Sequence, residues 1–501
     1  MDKKLLFCSV LLAVAAAAQA STADSALVER LSVWSAVGEE AWLNPALHGK
    51  AYQNAMSELY MKIDWRRQSR PFVPEKGDGY WLPDAFVDTY LRLSPGTTVW
   101  GKASYVNGRN RNIRWNSTSD YDLLQPYIIG DTIGGDTHTE CYAFSGGYAT
   151  QKGRLHMGAE LLFHAEQEYR DTDPRMRGIV NDLTLRAGTA WEQWHYRWGL
   201  ALEGNVYKQT NDVDFYREAG VIPEYQMLGL GAVYTRFSGS TRDLYYHGAG
   251  IRVCTDVQPV DGQGAYGSIS LLKNHYRRVA SEFNSLPLTT LYRDGISATA
   301  GWKRSSAHDV AVYGQLSFVS RSGDEHVAGT SSSSYYPVIA RLTMYKNERL
   351  NTSLHALYGR RGVTDWHVGG SFGYGSDRER YVYPERKMEA AWLFGELSGQ
   401  AIVRLGQKIV LTEDISGSYR EHLRSALMMP FAAMEDSFVR LENDTYAYRR
   451  SNYAGIRARF RADCRIGSGR YAVFVELAGG SVFASAGGHQ ADLNMAAGVT
   501  F

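Results

Sequence analysis

The residues of this chain best suited to holding a metal gather around one turn, Gln151-Lys152-Gly153-Arg154. Gly153 favours a tight reversal, and if Gln151 pairs with Arg154 the register sets Cys141 opposite His164 and Thr139 opposite Glu166. Glu140 and Glu168 lie close in sequence, so thiolate, imidazole and carboxylate groups could converge on a soft metal at His138, Cys141, His164 and Glu166. The plainer reading is favoured, and no cofactor is expected: charged side chains on a wetted wall pair and hydrate, and a one-residue bulge would undo the register.

A second set is Arg457, Arg459 and Arg461, alternating with Ala454, Ile456, Ala458, Phe460, Ala462 and Cys464. An Arg facing lipid at mid-bilayer costs roughly 2 to 4 kcal/mol, so three in register must face a lumen or headgroups. There they could attract anions, but pairing with acids such as Glu476 across the turn at Gly467 to Arg470 is the stronger expectation. Glu58, Asp64, Glu160, Asp182 and Glu203 on other wet faces make a lumen of one sign improbable.

Signatures of catalysis are scarce, and no enzyme is expected. Barrel phospholipases share a His-x-Ser pair on one strand face, the His acting as base, and none of the 13 His has Ser two positions later. The only His-Asp dipeptide, His308-Asp309, falls at an expected periplasmic turn, away from the outer rim where an omptin-like protease would need it. H-E-x-x-H and P-loop spacings are missing too.

The elements that carry these residues read as strands with one apolar face. Leu59, Met61, Ile63 and Trp65 alternate with Glu58, Tyr60, Lys62 and Asp64; Leu155 to His164 and Trp194 to Val206 repeat the pattern. The last segment does so into the terminus, with Ala491, Leu493, Met495, Ala497, Val499 and Phe501 on one face and Asp492, Asn494 and Thr500 on the other. Fifty Gly, 33 Tyr and 12 Trp suit strands with rings gathered at two interfaces. A net charge of +1 argues against a nucleic-acid partner.

Residues 1–20 have the form of a secretory signal, with Lys3 and Lys4, an apolar run and Ala18-Gln19-Ala20, placing the mature start at Ser21. Cys8 would leave with it, and Cys141, Cys254 and Cys464 are too sparse for a disulfide framework. No later apolar run reaches the roughly 18 residues a membrane helix needs. A mature chain that spans a membrane must therefore do so as a closed barrel.

Short turns are expected at 94–97, 151–154, 192–193, 238–241, 305–306, 346–349, 404–407 and 467–470, with long outer loops at 70–83, 108–137, 169–181, 208–223, 321–334, 361–385 and 421–451. The expectation is an all-β transmembrane antiparallel barrel of about 18 strands, with 14 to 20 compatible, because 255–294 reads as one outer excursion that could hide a hairpin. Trp115, Tyr121, Tyr127, Tyr335, Tyr336, Tyr381 and Tyr383 lie in outer loops, as a ligand surface or as interface markers.

The terminal Phe501 resembles the closing strand of bacterial outer-membrane barrels, which implies the barrel-assembly machinery as a biogenesis partner and outer-membrane lipid as the surroundings. Leu27, Leu31 and Trp34 fall at helical spacing ahead of Asn44-Pro45-Ala46. This element is similar to the N-terminal hatch of fatty-acid-transporter-type barrels, and the layout resembles uncharacterised outer-membrane barrel families of Bacteroidota-type bacteria. The domains expected are a signal at 1–20, a hatch at 21–50 held by Asn44, Pro45 and Ala46, and a barrel at 51–501 whose wall carries Arg457, Arg459 and Arg461. Passage or capture of a small solute, by diffusion through a gated lumen or as accessory to a larger uptake system, is the expected role. The alternative is a non-transporting barrel whose loops bind a protein or surface polymer.

Overall fold

Lipid offers no hydrogen-bond partner to a backbone, so a sheet that crosses a bilayer has to close on itself. The computed structural model does so, and describes residues 25–216, 224–237, 243–331, 335–406, 408–430, 436–466 and 471–501. The expected signal at 1–20 and the turns at 238–241 and 467–470 lie outside the described residues. In chain order the first strands are β1 (Met56–Gln68), β2 (Gly79–Ser94) and β3 (Thr97–Ile113), then the short β4 (Ile129–Asp131). Next come β5 (Gly135–Lys152), β6 (Leu155–Tyr169), β7 (Arg175–Gln193) and β8 (Tyr196–Asp214), followed by the short β9 (Glu224–Gly229) and β10 (Ala232–Val233). The sheet continues through β11 (Leu244–Pro259), β12 (Gly264–Ala280), β13 (Leu286–Ser305), β14 (Asp309–Ala328), β15 (Val338–Arg360) and β16 (Thr364–Tyr381). It ends with β17 (Arg386–Leu405), β18 (Ile409–Met428), β19 (Tyr453–Ile466), β20 (Tyr471–Ala484) and β21 (Gly488–Thr500).

Eighteen of these form one antiparallel sheet, and β1 pairs with both β2 and β21, which closes the barrel. The last strand and the first therefore share a seam, with Ile63 opposite Met495 and Trp65 opposite Leu493.

The outward faces are apolar and open: Met61, Leu185, Leu354, Leu397 and Val475 all stand exposed on the outer wall. Trp191, Trp198, Trp302 and Trp366 ring the end with the short turns, and Trp81, Tyr105, Tyr142 and Tyr419 stand towards the other. No helix among the described residues is long and apolar enough to cross a membrane; the chain crosses with strands. It is an outer-membrane β-barrel.

The strand number matches the expectation, yet several turns move. Residues 346–349 lie inside β15, and 361–385 holds β16 behind a short turn, while 255–294 contains a reversal between β11 and β12. The reversal near 192–193 is at Trp194 and His195, both at positive φ (51° and 64°), so Trp194 belongs to the turn and not to the strand. Residues 169–181 are mostly strand. A membrane strand needs about 9 to 11 residues, whereas these run from 13 in β1 to 23 in β15. The excess projects outward as polar strand, which a sequence pattern reads as loop.

Two bodies fill the lumen. At the end holding the short turns lie helix α1 (Ser25–Leu31) and helix α2 (Pro45–His48). At the outer end the chain after β3, with helix α3 (Tyr121–Leu124), β4, β9, β10 and helix α4 (Asp436–Arg449), folds inward over one large apolar cluster. Trp115, Leu124, Tyr127, Met227 and Phe438 meet wall residues Tyr207, Tyr246, Tyr276 and Tyr345 there. Trp115 and Tyr127 are thus buried filling and Tyr381 a buried wall residue of β16, which corrects both readings of those rings, whereas Tyr335 and Tyr383 stay exposed.

Wall arginines clamp this plug through its carbonyls. Arg278 donates to Ile128 O and Met227 O, Arg321 to Gln125 O and Asp122 O, and Arg386 to Leu230 O. Arg170 forms a fully buried pair with Asp131 at 2.9 Å and donates to Asn116 O at 3.0 Å. Removing one partner of a buried pair costs about 3 to 5 kcal/mol because the other charge stays stranded. Arg170→Met is therefore expected to free the 114–134 segment, seen as faster hydrogen exchange and proteolysis there, with heat-dependent gel mobility of the barrel unchanged.

Candidate functional site

The inner body is tied around most of the circumference. Gln400 of β17 accepts from Val33 N at 2.8 Å and donates to Leu31 O at 2.9 Å, and Lys303 of β13 donates to Val37 O at 2.7 Å. Arg30 pairs with Asp88 of β2 at 3.1 Å, and Thr98 of β3 donates to Gly49 O at 3.0 Å.

Asn44-Pro45-Ala46 docks on the wall. The Asn44 side chain caps α2 by accepting from Ala46 N at 3.0 Å, and its amide donates to Thr189 O of β7 at 3.1 Å. This approach needs strands without side chains beneath it. A Cβ on Gly188 would sit 2.1 Å from Asn44 Oδ1, and one on Gly158 would sit 2.5 Å from the Pro45 carbonyl carbon. These cradle glycines carry no local sequence signal; only the register of β6 and β7 brings them under α2.

Between the two bodies the wall stays wet. Glu396, Ser398, Ser418 and Arg457 face inward by strand alternation and are nevertheless exposed, so they border a chamber. Its floor holds a cavity of about 400 Å³ lined by Val33, His367, Gln400, Asp414, Arg457 and Arg459. Beneath the inner body a vestibule of about 1070 Å³ opens among Lys50, Arg92, Arg197, Lys303, Arg361 and Arg404, with Glu29, Asp261 and Asp365 as its acids.

The arginine stripe divides. Arg459 meets Asp414 at 2.7 Å and Glu476 at 3.9 Å. Arg461 is buried against Glu58 at 2.7 Å and Asp463 at 2.9 Å, stacked over Phe474. Arg457 forms no ion pair among the described residues and keeps its charge for the chamber.

The metal constellation does not assemble. Cys141 pairs with Glu166, Thr139 with Glu168 and Ala143 with His164, a register two residues away from the expected one. His138 lies three residues from Cys141 and so points out of the barrel, where it meets Asp171 at 3.0 Å. Thr139 holds Glu166 at 2.9 Å, and no group of three or more such ligands converges among the described residues.

Two further arrangements escaped the motif search. Ser353 Oγ lies 2.8 Å from His355 Nε2 on one inward face of β15, the reverse of the spacing sought. The run Gly369-Gly370-Ser371-Phe372-Gly373 has nucleophile-elbow spacing, but lies within β16 and makes no strand-to-helix turn. Ladder pairing on both sides of β15 and of β16 engages the backbone amides next to both serines in the sheet.

The outer plug stores acid. Burial, with Glu379 and Glu75 adding to it, pushes Glu442 up to about 8, and burial takes Glu75 to about 7. Arg449 joins the same group, donating to Glu379 at 2.7 Å. In the inner body the sign is opposite, since burial, helped by Lys102, pushes His48 down to about 4.

A model of a family of unknown function, DUF6850, matches residues 45–501. No protein of curated function matches the sequence. Among solved structures the chain is similar to the siderophore receptor PirA from Acinetobacter baumannii at 6% identity and a TM-score of 0.39, covering 89% of this chain and 81% of that one. It is similar to the outer membrane protein opdK from Pseudomonas aeruginosa at 8% identity and a TM-score of 0.33, covering 90% of this chain and 100% of that one. Likeness to the CymD monoaromatic hydrocarbon channel is 10% identity at a TM-score of 0.32, covering 92% of each.

Two outcomes follow from these contacts. Asn44→Ala removes a cap worth about 1 to 2 kcal/mol together with the bond to Thr189, and Gly188→Val adds a clash; both should speed hydrogen exchange in 41–50 while the barrel strands stay protected. For the plug, raised carboxyl pKa values contribute stability that is full below about 4.5 and is lost as pH rises through about 7 and 8. Exchange in 436–449 should therefore quicken between about pH 6 and about pH 9, and Glu442→Gln should flatten that rise. The His48 contribution runs the other way, full above 6.5 and lost towards 4, so residues 41–50 should loosen in acid.

Proposed function

The chain belongs to the DUF6850 family of unknown function, which names no solute, and we propose from the geometry that it is a gated barrel for passage or capture of a small polar solute. The observation that carries this reading is the wetted chamber bordered by Glu396, Ser398, Ser418 and Arg457 between two separately anchored bodies. A purely structural wall would have no use for inward polar side chains kept exposed. On this reading residues 21–50 are the hatch, and Asn44, Pro45 and Ala46 hold it. Arg457 supplies the free charge at the chamber floor, and Arg459 and Arg461 brace the wall.

Because a separately anchored body lies in the lumen at each end, passage past them needs two movements. The inner body faces the periplasm, where an uptake partner could act on it, and this supports an accessory place in a larger system. Outer-membrane lipid surrounds the wall, and the assembly machinery is the biogenesis partner that the terminal Phe501 fits. The second reading is a barrel without transport whose plug surface binds a protein or polymer. Exposed Tyr335 and Tyr383 at the outer rim are the observation in its favour.

Conductance in planar bilayers separates them. The full chain should be nearly silent, deletion of 24–50 should raise the current, and replacing 116–132 by a short Gly-Ser turn in that deletion should raise it further. Silence in every folded form would favour the binding module.

A further inference from the structure

One row of basic residues on the outside of the barrel forms no ion pair among the described residues. Just beyond the apolar belt the outward residues of β8, β11 and β12 are Lys208, His247 and Arg277, with Lys208 opposite His247 and His247 opposite Arg277. His275 stands one outward position nearer the belt, and Lys208, His275 and Arg277 all act electrostatically on His247. Basic groups gathered this closely disfavour one another's charged forms unless an anion sits among them. Among the described residues neither Lys208 nor Arg277 forms an ion pair, and Arg277 Nε is buried with no partner. The outward acids lie apart: Asp212 is grouped with Asp214, Asp243 and Arg177 above the row, Asp294 faces Lys273 below it, and Asp324 stands two strands along from Arg277, accepting from Thr343.

Lower down, past His275 and Lys273 on β12, the same columns turn apolar. Val206, Ile251 and Leu271 are 52%, 54% and 50% exposed, and a groove of about 330 Å³ opens among Ile251, Val253, Leu271, Ile296 and Phe318, with the facing Lys273 and Asp294 at its upper end. A phosphate is the anion that Arg and Lys recognise best at a membrane surface. The groove supplies what a free ion would not need, a channel for an alkyl chain running down the wall from the charge.

We propose that this face binds one phosphorylated lipid of the outer leaflet, its phosphate against Lys208, His247 and Arg277 and an acyl chain in the groove. The site depends on the barrel standing in lipid and is independent of whether the lumen conducts.

Native mass spectrometry of the delipidated full-length barrel, titrated with bisphosphorylated lipid A and separately with phosphatidylcholine, tests it. Lipid A should be retained in preference, and Lys208→Gln with Arg277→Gln should weaken retention about tenfold or more. Arg380→Gln, at an outward cation already paired with Glu389 at 3.8 Å, should leave retention unchanged. Heat-dependent mobility shows whether the double variant is folded; if it is not, Lys208→Gln alone, at an exposed position, gives the smaller loss expected. Equal retention of both lipids, or retention that survives the substitutions in a folded barrel, overturns the proposal. Full displacement of lipid A by inorganic phosphate overturns it as well, since the site would then take the ion and not the lipid.

Discussion

Closure of the sheet is the constraint from which the rest descends. A backbone in acyl chains must satisfy every N–H and C=O within the sheet, so β1 is obliged to meet β21, and side chains sort by parity alone. Once the outward set is greasy, every charge in a strand is forced inward or beyond the belt. That sorting puts Glu160, Arg186 and Glu203 on neighbouring strands in one inward group, with Arg186 2.9 Å from Glu160 and 2.6 Å from Glu203. The lumen thus neutralises itself largely by cross-strand neighbours, as it does at Arg459 and Arg461, and the few charges left over acquire meaning by exception.

Parity is also why the faces were more legible in the sequence than the turns, although the reversals at 94–97, 151–154 and 404–407 fall where the punctuation puts them. The expected faces of β1, β6, β19 and β21 all stand, because lipid contact writes a two-residue period directly into composition. Outside the bilayer that pressure lapses. Lys346-Asn347-Glu348-Arg349 is polar strand projecting beyond the membrane, yet reads as a turn; Val260 to Gln263 reverses the chain with weaker punctuation. The short turn between Arg360 and Thr364 was likewise read as part of a long outer loop, so the count of 18 holds although several individual boundaries do not. The metal constellation failed for a reason the period already contained, since residues 138 and 141 differ by an odd number and cannot share a face in a regular strand.

The fillings of the lumen were legible only in part. Asn44-Pro45-Ala46 announces a capped helix start, because Asn at the cap and Pro at the first position suit an α-helix N-terminus. That it docks on Gly158 and Gly188 is a property of strand register, which no local pattern encodes. The outer plug was less visible still. Trp115, Leu124, Met227 and Phe438 come from three distant segments and are buried together only because the barrel gives them a common wall. The two bodies differ in their buried titratable groups: the inner one is held by a helix cap, the Arg30–Asp88 pair and hydrogen bonds around a buried His48, the outer one by buried arginines and buried acids. Their stabilities therefore respond to pH with opposite sign, and conditions that loosen one leave the other in place.

Alternation also couples the inside of the wall to the outside. Lys208, His247 and Arg277 are the outward neighbours of Tyr207, Tyr246 and Tyr276, which pack inward on the plug, and Tyr207 meets Tyr276 edge-on at 5.6 Å. Arg278, next along β12, is the residue that grips Ile128 O and Met227 O. A strand cannot shift or twist for one face alone, because adjacent residues share the same backbone ladder. The face of β8, β11 and β12 that grips the plug and the face that meets lipid are therefore two sides of one ladder, fixed together by its register.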